Sequence, residues 1–522
     1  MKRSALRRAL LASALLAPPS AALAGTDTWF TPLTQSAPVV APNSLPELSS
    51  PWVTPAGLSQ KNIVSLREVE DAVLSPQQSI IRVPGLASNS SMFDMLAFDP
   101  TGNFLFIPHE TIIGAGCSRI SLYDNSSQVI FAGDQKGVFQ TLDGWANDFG
   151  AFDPSRWTPN NTLFLAEEWS GLGRVVEILN PLAPSDQIQS RVLESIANVA
   201  HEGINFSLKF NDTLYFIDEW NSGSIYKFVM KTPGDFTVGQ TFVLSVDAFL
   251  SSGGVANKDW SQQAAGVVRE GAATWVPLTD RVGRPRRGIT NPFRDGVSND
   301  PRTNTNTLGG RPAADDVGAT PYGRPEDASV GRLANGNEVI YIAVTSESKV
   351  ISIEILEYGL GGGIGALDEG NRAAPSGKAI VRTFVSNGSP KNAGFAATTG
   401  VLNSPDNVAL DALGNVYVIE DAPNGDPVGG DIWFARDTNN DGVAESLDHF
   451  LSIRVKGSEA TGMIFNPTVP TEFAVAVQHP DSTNLANVPA GLGDAVWLFN
   501  VSNIPNQAFV TALNGAKGAT NQ

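Results

Sequence analysis

The sequence predicts an all-β protein, a six-bladed β-propeller with an N-terminal extended arm and a long inserted loop region. Three observations carry this. Six stretches repeat one pattern: an apolar strand, a turn, a second strand, then one or two acidic or histidine residues. Each is followed by one further apolar strand, such as CSRISLYD, GSIYKFV or GDIWFARD. Helical periodicity is scarce, whereas Gly (50) and Pro (34) are plentiful among the 522 residues. Short strands at regular spacing between turn signals argue for β architecture, and six like units argue for one radial fold rather than several domains.

Residues 1–24 read as an export signal. Lys2, Arg3, Arg7 and Arg8 precede the apolar run 9–17, and Ala22-Leu23-Ala24 is a small-x-small cleavage pattern. Both a general secretory and a degenerate twin-arginine signal fit. The mature chain is expected to start near Gly25 and to work outside the cytoplasm, in the periplasm or secreted. No later segment has the roughly 20 uninterrupted apolar residues that span a bilayer. Losing the signal removes four positive charges, which takes the formal charge from −18 to −22. So acidic a surface repels nucleic acid and suits cations. The lone cysteine, Cys117, excludes an internal disulfide framework.

Residues 25–90 are rich in Pro and Ser and read as the arm, and residues 91–510 as the propeller. The repeats are FDMLAFDPTGNFLFIPHE (93–110), FDPSRWTPNNTLFLAEE (152–168), HEGINFSLKFNDTLYFIDE (201–219), PEDASVGRLANGNEVIYIAVTSE (325–347), PDNVALDALGNVYVIED (405–421) and TGMIFNPTVPTEFAVAVQH (461–479). The longest interval between their ends, from Glu219 to Glu347, holds the Gly-, Asn-, Arg- and Asp-rich region 250–322. It reads as an insertion over one face.

In a propeller, equivalent strand ends meet at the mouth of the central channel. Carboxylates gathered there repel one another unless a cation neutralises them. Oxygen ligands select hard cations such as Ca²⁺, Mg²⁺, Mn²⁺ or Fe³⁺. Three of the four histidines fall in these clusters, at His109-Glu110, His201-Glu202 and His479. In Glu167-Glu168 and Asp218-Glu219, strand alternation points one carboxylate to the channel and the other to the neighbouring blade. Arg324-Pro325-Glu326 sets a cation beside an acid, and its planar fork suits a counter-ion role or an anionic substrate group. Ser404-Pro405-Asp406-Asn407 occupies the analogous place. A separate string, Asp437-Thr438-Asn439-Asn440-Asp441-Gly442-Val443, follows the D-x-N-x-D-G pattern of calcium loops. Position twelve is Asp448, and no helix pair flanks it. Its candidate ligands are Asp437, Asn439, Asp441, Val443 and Asp448, in a structural Ca²⁺ loop.

The ordered series PHE (108–110), AEE (166–168), HEG (201–203) with IDE, RPE (324–326), SPDN (404–407) with IED, and EATGMIF…VQHP (459–480) resembles that of PhoX-type alkaline phosphatases, also called the DUF839 group. The family strings read roughly NHE, CEE, HEA, R-x-E, PDN with ED, and E-x-T-G with QHP. The resemblance spans about residues 90–500. It implies a six-bladed propeller whose axial site holds calcium and a two-iron centre and hydrolyses phosphate monoesters. By resemblance, Glu168 (or Glu167), Glu202, Glu326 and Asp406 are metal ligands. Glu110, Glu219, Glu420 and Asp421 are nearby calcium or supporting carboxylates, and Arg324 holds the phosphate.

One departure bears on the metal. The family carries a cysteine in an N-C-A-G-G-like string just before its T-P-W-G-T-W…EE strand. Here that region reads Trp157-Thr158-Pro159-Asn160-Asn161-Thr162, without a cysteine. Three outcomes fit: calcium alone, another metal, or a site without phosphatase activity. The primary expectation is an exported, monomeric, metal-dependent phosphatase acting on small phosphate mono- or diesters. One alternative is a calcium-dependent lactonase or aryl esterase, with His109-Glu110 or His201-Glu202 activating water. The other is a non-catalytic ligand-binding propeller.

Overall fold

The computed structural model describes residues 25–41, 44–71, 93–138, 143–169, 173–293, 309–357, 377–421, 428–478 and 492–516. Residues 1–24 and His479, which carry two of the expectations above, lie outside them.

The described chain is all-β and propeller-like, with few and short helices. Its strands form five sheets. Four are separate antiparallel units. One runs Ala97–Phe98, Phe104–Pro108, Gly116–Ser121, Ser127–Ala132, and the next Phe152–Trp157, Leu163–Glu167, Val175–Ile178, Ser190–Val192. Two more start at Pro405–Leu410 and at Glu459–Phe465. The fifth sheet has nine strands. Its two ends are the meanders from His201–Phe206 to Gly239–Val246 and from Pro325–Arg332 to Lys378–Ser386. Six separate sheets were expected. The difference is Gly271–Pro277, a strand inside the region read as an inserted loop, which pairs with both Gly239–Val246 and Lys378–Ser386.

The strands carry near-continuous apolar runs because most are buried on both faces. Leu163–Glu167, Ile225–Met230 and Val416–Glu420 are buried throughout. Separate apolar clusters fill the gaps between successive units. One joins Phe106 to Trp157 and Leu165. Another joins Ile217 and Leu244 to Ile340 and Ile342, at the two ends of the nine-stranded sheet. A third joins Phe98 and Ile107 to Ala474 and Val496, so the last unit packs on the first.

The N-terminal segment belongs to the C-terminal units. Trp52–Val53 adds a strand beside Ser446–Ile453, and Ser59–Ser65 pairs with Ala495–Asn500. Trp29 stacks on Phe509 of the helix Gln507–Gly515, at 4.5 Å between centroids. Among the described residues, no helix is long and apolar enough to cross a membrane.

Candidate metal centre

Six inner strands follow one another around a central cavity: Ala97–Phe98, Phe152–Trp157, His201–Phe206, Pro325–Arg332, Pro405–Leu410 and Glu459–Phe465. At the start of each stands one carboxylate: Asp94, Asp153, Glu202, Glu326, Asp406 and Glu459. A local distortion aims several of them. Phe152 pairs with Glu167 but Ser155 with Leu165, so the strand holds one extra residue at Asp153-Pro154. The same excess falls at Glu202-Gly203, at Glu326-Asp327 and at Asp406. A β-bulge re-aims the unpaired side chain out of the ladder, here toward the axis. Two residues before Asp153, Glu326 and Asp406, the non-glycine residues Ala151, Arg324 and Ser404 have φ of 47°, 48° and 43°. Left-handed backbone at non-glycine residues is strained and recurs at functional sites.

The ends of the second strands supply further acids. Glu110, Glu168, Glu219 and Asp421 line the cavity, whose volume is about 520 Å³, with Arg324, Trp220, Asn221 and Gln478. Strand parity decides which acid faces inward. Glu168 faces the cavity, whereas Glu167 turns to Arg174 (2.6 Å) and accepts the backbone N–H of Gly150. Glu219 faces inward, whereas Asp218 binds Arg311 at 2.6 Å. Asp421 faces inward, whereas Glu420 accepts from Trp433 Nε1 and from the N–H groups of Asn403 and Asp431. Glu167 and Glu420, both candidate ligands, therefore lie outside the cavity lining, with protein donors of their own.

The histidines also turn away. His109 pairs with Ser118 Oγ at 2.9 Å, and His201 packs on Phe216. Both are fully buried, and burial pushes each imidazole down to about 3, so they are neutral. Neither lines the cavity. His201 is thus placed away from the substrate space expected of a catalytic group, because it takes the strand face opposite to Glu202 and packs in the core against Phe216.

Three groups of carboxylate oxygens converge to within 4.8 Å: Asp94, Glu110 and Asp153; Asp153, Glu168 and Glu202; Glu202, Glu326 and Asp406. Asp153 and Glu202 are each shared by two groups. At an effective dielectric of 20, two such charges repel by about 3 kcal/mol. Burial first, and neighbouring carboxylates second, raise Asp94, Asp153 and Glu202 well above the ordinary carboxylate range. Burial does the same to Glu326 and Asp406, against the pull of Arg324. Burial opposes ionisation of Glu219 too, but the charge and hydrogen bond of Arg324 outweigh it and hold that group low. Arg324 donates to Glu219 through Nε and lies 3.2 Å from Glu326 and 4.0 Å from Asp421.

The donor set fits hard cations. Oδ1 of Asp94 and of Asp153 lack any protein donor, although each residue is only 4 % exposed. A buried anionic oxygen left without a partner is costly, and a cation between the groups removes that cost. A thiolate-ligated iron does not fit. Cys117 lies in the core between the first two sheets, and burial pushes its thiol far up. It is absent from the cavity lining.

The Asp437–Asp448 string differs. Asp437 accepts the N–H groups of Asp441 and Gly442, Asn439 accepts Asp441 N–H, and Asp441 accepts Val443 N–H. Val443 is exposed. Asp448 is buried in the strand Ser446–Ile453 and accepts from Thr28 and Ser446. The expected twelfth ligand thus faces away, because the strand begins before it. No converging trio occurs in this loop among the described residues.

Asp94, Asp153, Glu459, Trp220, Asn221 and Gln478 were not among the sequence candidates. A signal for the inner-strand acids was present: five of the six stretches have an acid at or near their start, as in FDM, FDP, HEG, PED and PDN.

A search of curated protein sequences gave no match. Among solved structures, Pseudomonas fluorescens PhoX in complex with vanadate, a transition state analogue, is similar over 92% of this chain and 100% of that chain, at 14% identity and a TM-score of 0.56. A gluconolactonase from Xanthomonas campestris is 10% identical over 91% of this chain and 98% of its own, with a TM-score of 0.38. That score is too low to support a statement about this chain. The family model described as alkaline phosphatase PhoX matches residues 131–481. The chain belongs to the PhoX alkaline phosphatase family.

Proposed function

We infer that this is an exported, six-bladed propeller that hydrolyses small phosphate monoesters or diesters at an all-oxygen metal centre on its axis. The observation that carries this reading is the run of three carboxylate trios linked through Asp153 and Glu202, beside the guanidinium of Arg324. Family membership supports the reaction class. The vanadate bound by Pseudomonas fluorescens PhoX, a transition state analogue there, supports phosphoryl transfer. Six inner strands and the apolar contact across the nine-stranded sheet support counting that sheet as two fused blades. The basic-then-apolar start of the sequence supports export.

When bound, hard cations supply charge neutralisation of the phosphoryl group and a more acidic bound water. The residues do the rest. Asp94, Glu110, Asp153, Glu168, Glu202, Glu326 and Asp406 hold the cations. Arg324 presents its fork to phosphoryl oxygens, anchored by Glu219 and Glu326. Water adds to phosphorus, the ester P–O bond breaks, and the leaving oxygen takes a proton. Ca²⁺ is the first candidate cation, with Fe³⁺ or another hard di- or trivalent ion in an oxygen-only site as the other. The lactonase reading loses its base, since His109 and His201 face away from the cavity.

The test is turnover of p-nitrophenyl phosphate and of a simple lactone by purified protein, before and after chelation. Hydrolysis of the phosphate ester alone, lost on chelation and restored by a hard cation, is expected. No phosphate ester turnover with any of Ca²⁺, Mn²⁺ or Fe³⁺ would overturn the assignment.

A further inference from the structure

Among the described residues, one wall of the cavity carries no ionisable group. Trp220 and Asn221 follow directly on Glu219 and line the cavity beside Arg324. This short wall is tied down by residues from the region 250–324 and by Ser346. Arg311, in the helix Gly310–Asp316, places its guanidinium carbon 4.9 Å from the Trp220 ring centroid. Asp218 holds that guanidinium through bonds of 2.6 and 2.7 Å. The N–H of Trp260 donates to the Asn221 carbonyl at 2.8 Å, and the N–H of Tyr322 to the Gly223 carbonyl at 2.9 Å. Ser346 Oγ donates to Asn221 Oδ1 at 3.0 Å. The N–H of Arg324 donates to the Trp220 carbonyl at 2.9 Å, so the fork assigned to the phosphate and the indole are anchored to one another.

Trp220 is half-buried and, among the described residues, is the one aromatic in a lining otherwise made of carboxylates, amides and a guanidinium. Its ring is backed by Arg311 through a cation–π contact, which fixes its position. Trp220 borders Arg324 in the lining and is tied to it through the backbone, so the leaving group of an ester whose phosphoryl oxygens bind Arg324 is within reach of the indole. We propose that Trp220, backed by Arg311, is a specificity-determining residue that selects phosphate monoesters of planar aromatic alcohols, whose ring stacks on the indole. This rests on the phosphatase reading above. The bond that breaks is still P–O, and the leaving aryl oxygen takes the proton released by the attacking water.

The test uses phenylphosphonate and methylphosphonate, which share the anionic head and are not hydrolysed. Each is titrated calorimetrically into the full chain with the cations it retains on purification. Phenylphosphonate is expected to bind about 10-fold more tightly, the size of one aromatic contact. In Trp220→Leu the two ligands should come within about twofold of each other, and Trp220→Phe should keep most of the preference. Equal affinities in the unmodified protein, or a phenyl preference that survives in Trp220→Leu, overturn the proposal. The comparison in the unmodified protein needs no variant, so it stands even if Trp220→Leu does not fold. If both ligands bind equally, this inference alone fails. If neither binds, the anion site fails and the inference with it.

Discussion

The axial cavity and the turn at residues 437–442 are both built from clustered acids, yet they solve the charge problem in opposite ways. In the turn, Asp437, Asn439 and Asp441 accept backbone N–H groups of the turn itself, and Asp441 also accepts from the Asn439 side-chain amide. In the cavity, Asp94 Oδ1 and Asp153 Oδ1 are buried without a donor, and among the described residues one cationic side chain lines the space. The first arrangement is complete as protein. The second is complete only with added positive charge or bound protons. Acid count alone does not distinguish them; the whereabouts of the donors does.

The largest expected effect comes from removing the shared ligand. Asp153→Asn touches two trios at once and should lower phosphate ester turnover by about 100-fold or more, with loss of bound cation measured by elemental analysis. Retained metal and turnover in that variant would erase the contrast with the turn. Arg324→Lys keeps the charge but loses the fork. It should raise KM for a phosphate ester by roughly 10-fold, read from initial rates. Glu167→Gln tests a carboxylate that is already paired. It leaves Arg174 with a weakened partner at a buried position and should cost about 3 kcal/mol of stability in denaturant melts, with metal content unchanged.

The smallest effect belongs to the turn. Burial pushes Asp437 up to about 6, from an ordinary value of 3.8. A folded-state value above the unfolded one favours the protonated form. The stability it contributes is present below about 4 and lost as pH rises through about 6. Asp437→Asn should flatten that part of the curve of melting temperature against pH, between about pH 4 and pH 6, and leave metal content unchanged. A slope unchanged by the substitution would assign the titration elsewhere.

Much of this was legible in the chain. Repeating hairpins gave the inner and second strands, and strand parity in Glu167-Glu168 and Asp218-Glu219 foretold one acid inward and one outward. Other features were not. The acids at the strand starts are visible in the sequence, but the bulge that aims Asp153 at the axis is not, because it is set by the register of pairing with Leu163–Glu167 rather than by local pattern. Gly271–Pro277 sits in a turn-rich context, and its strand depends on pairing with the preceding strand across a long loop and with Lys378–Ser386 far along the chain. His201 is adjacent to a ligand candidate, but adjacency on a strand means opposite faces. Asp448 satisfies the spacing of a calcium loop while its strand points it at Ser446 and Thr28.

The most direct test of the central claim is the cation content of the purified full chain, determined by elemental analysis beside its Asp153→Asn and Asp441→Asn variants. Roughly three hard cations per chain are expected, one for each carboxylate trio, fewer in Asp153→Asn and an unchanged number in Asp441→Asn. A chain that retains no cation and gains no thermal stability when Ca²⁺, Mn²⁺ or Fe³⁺ is added, or one that loses its cations through Asp441→Asn instead, would contradict it.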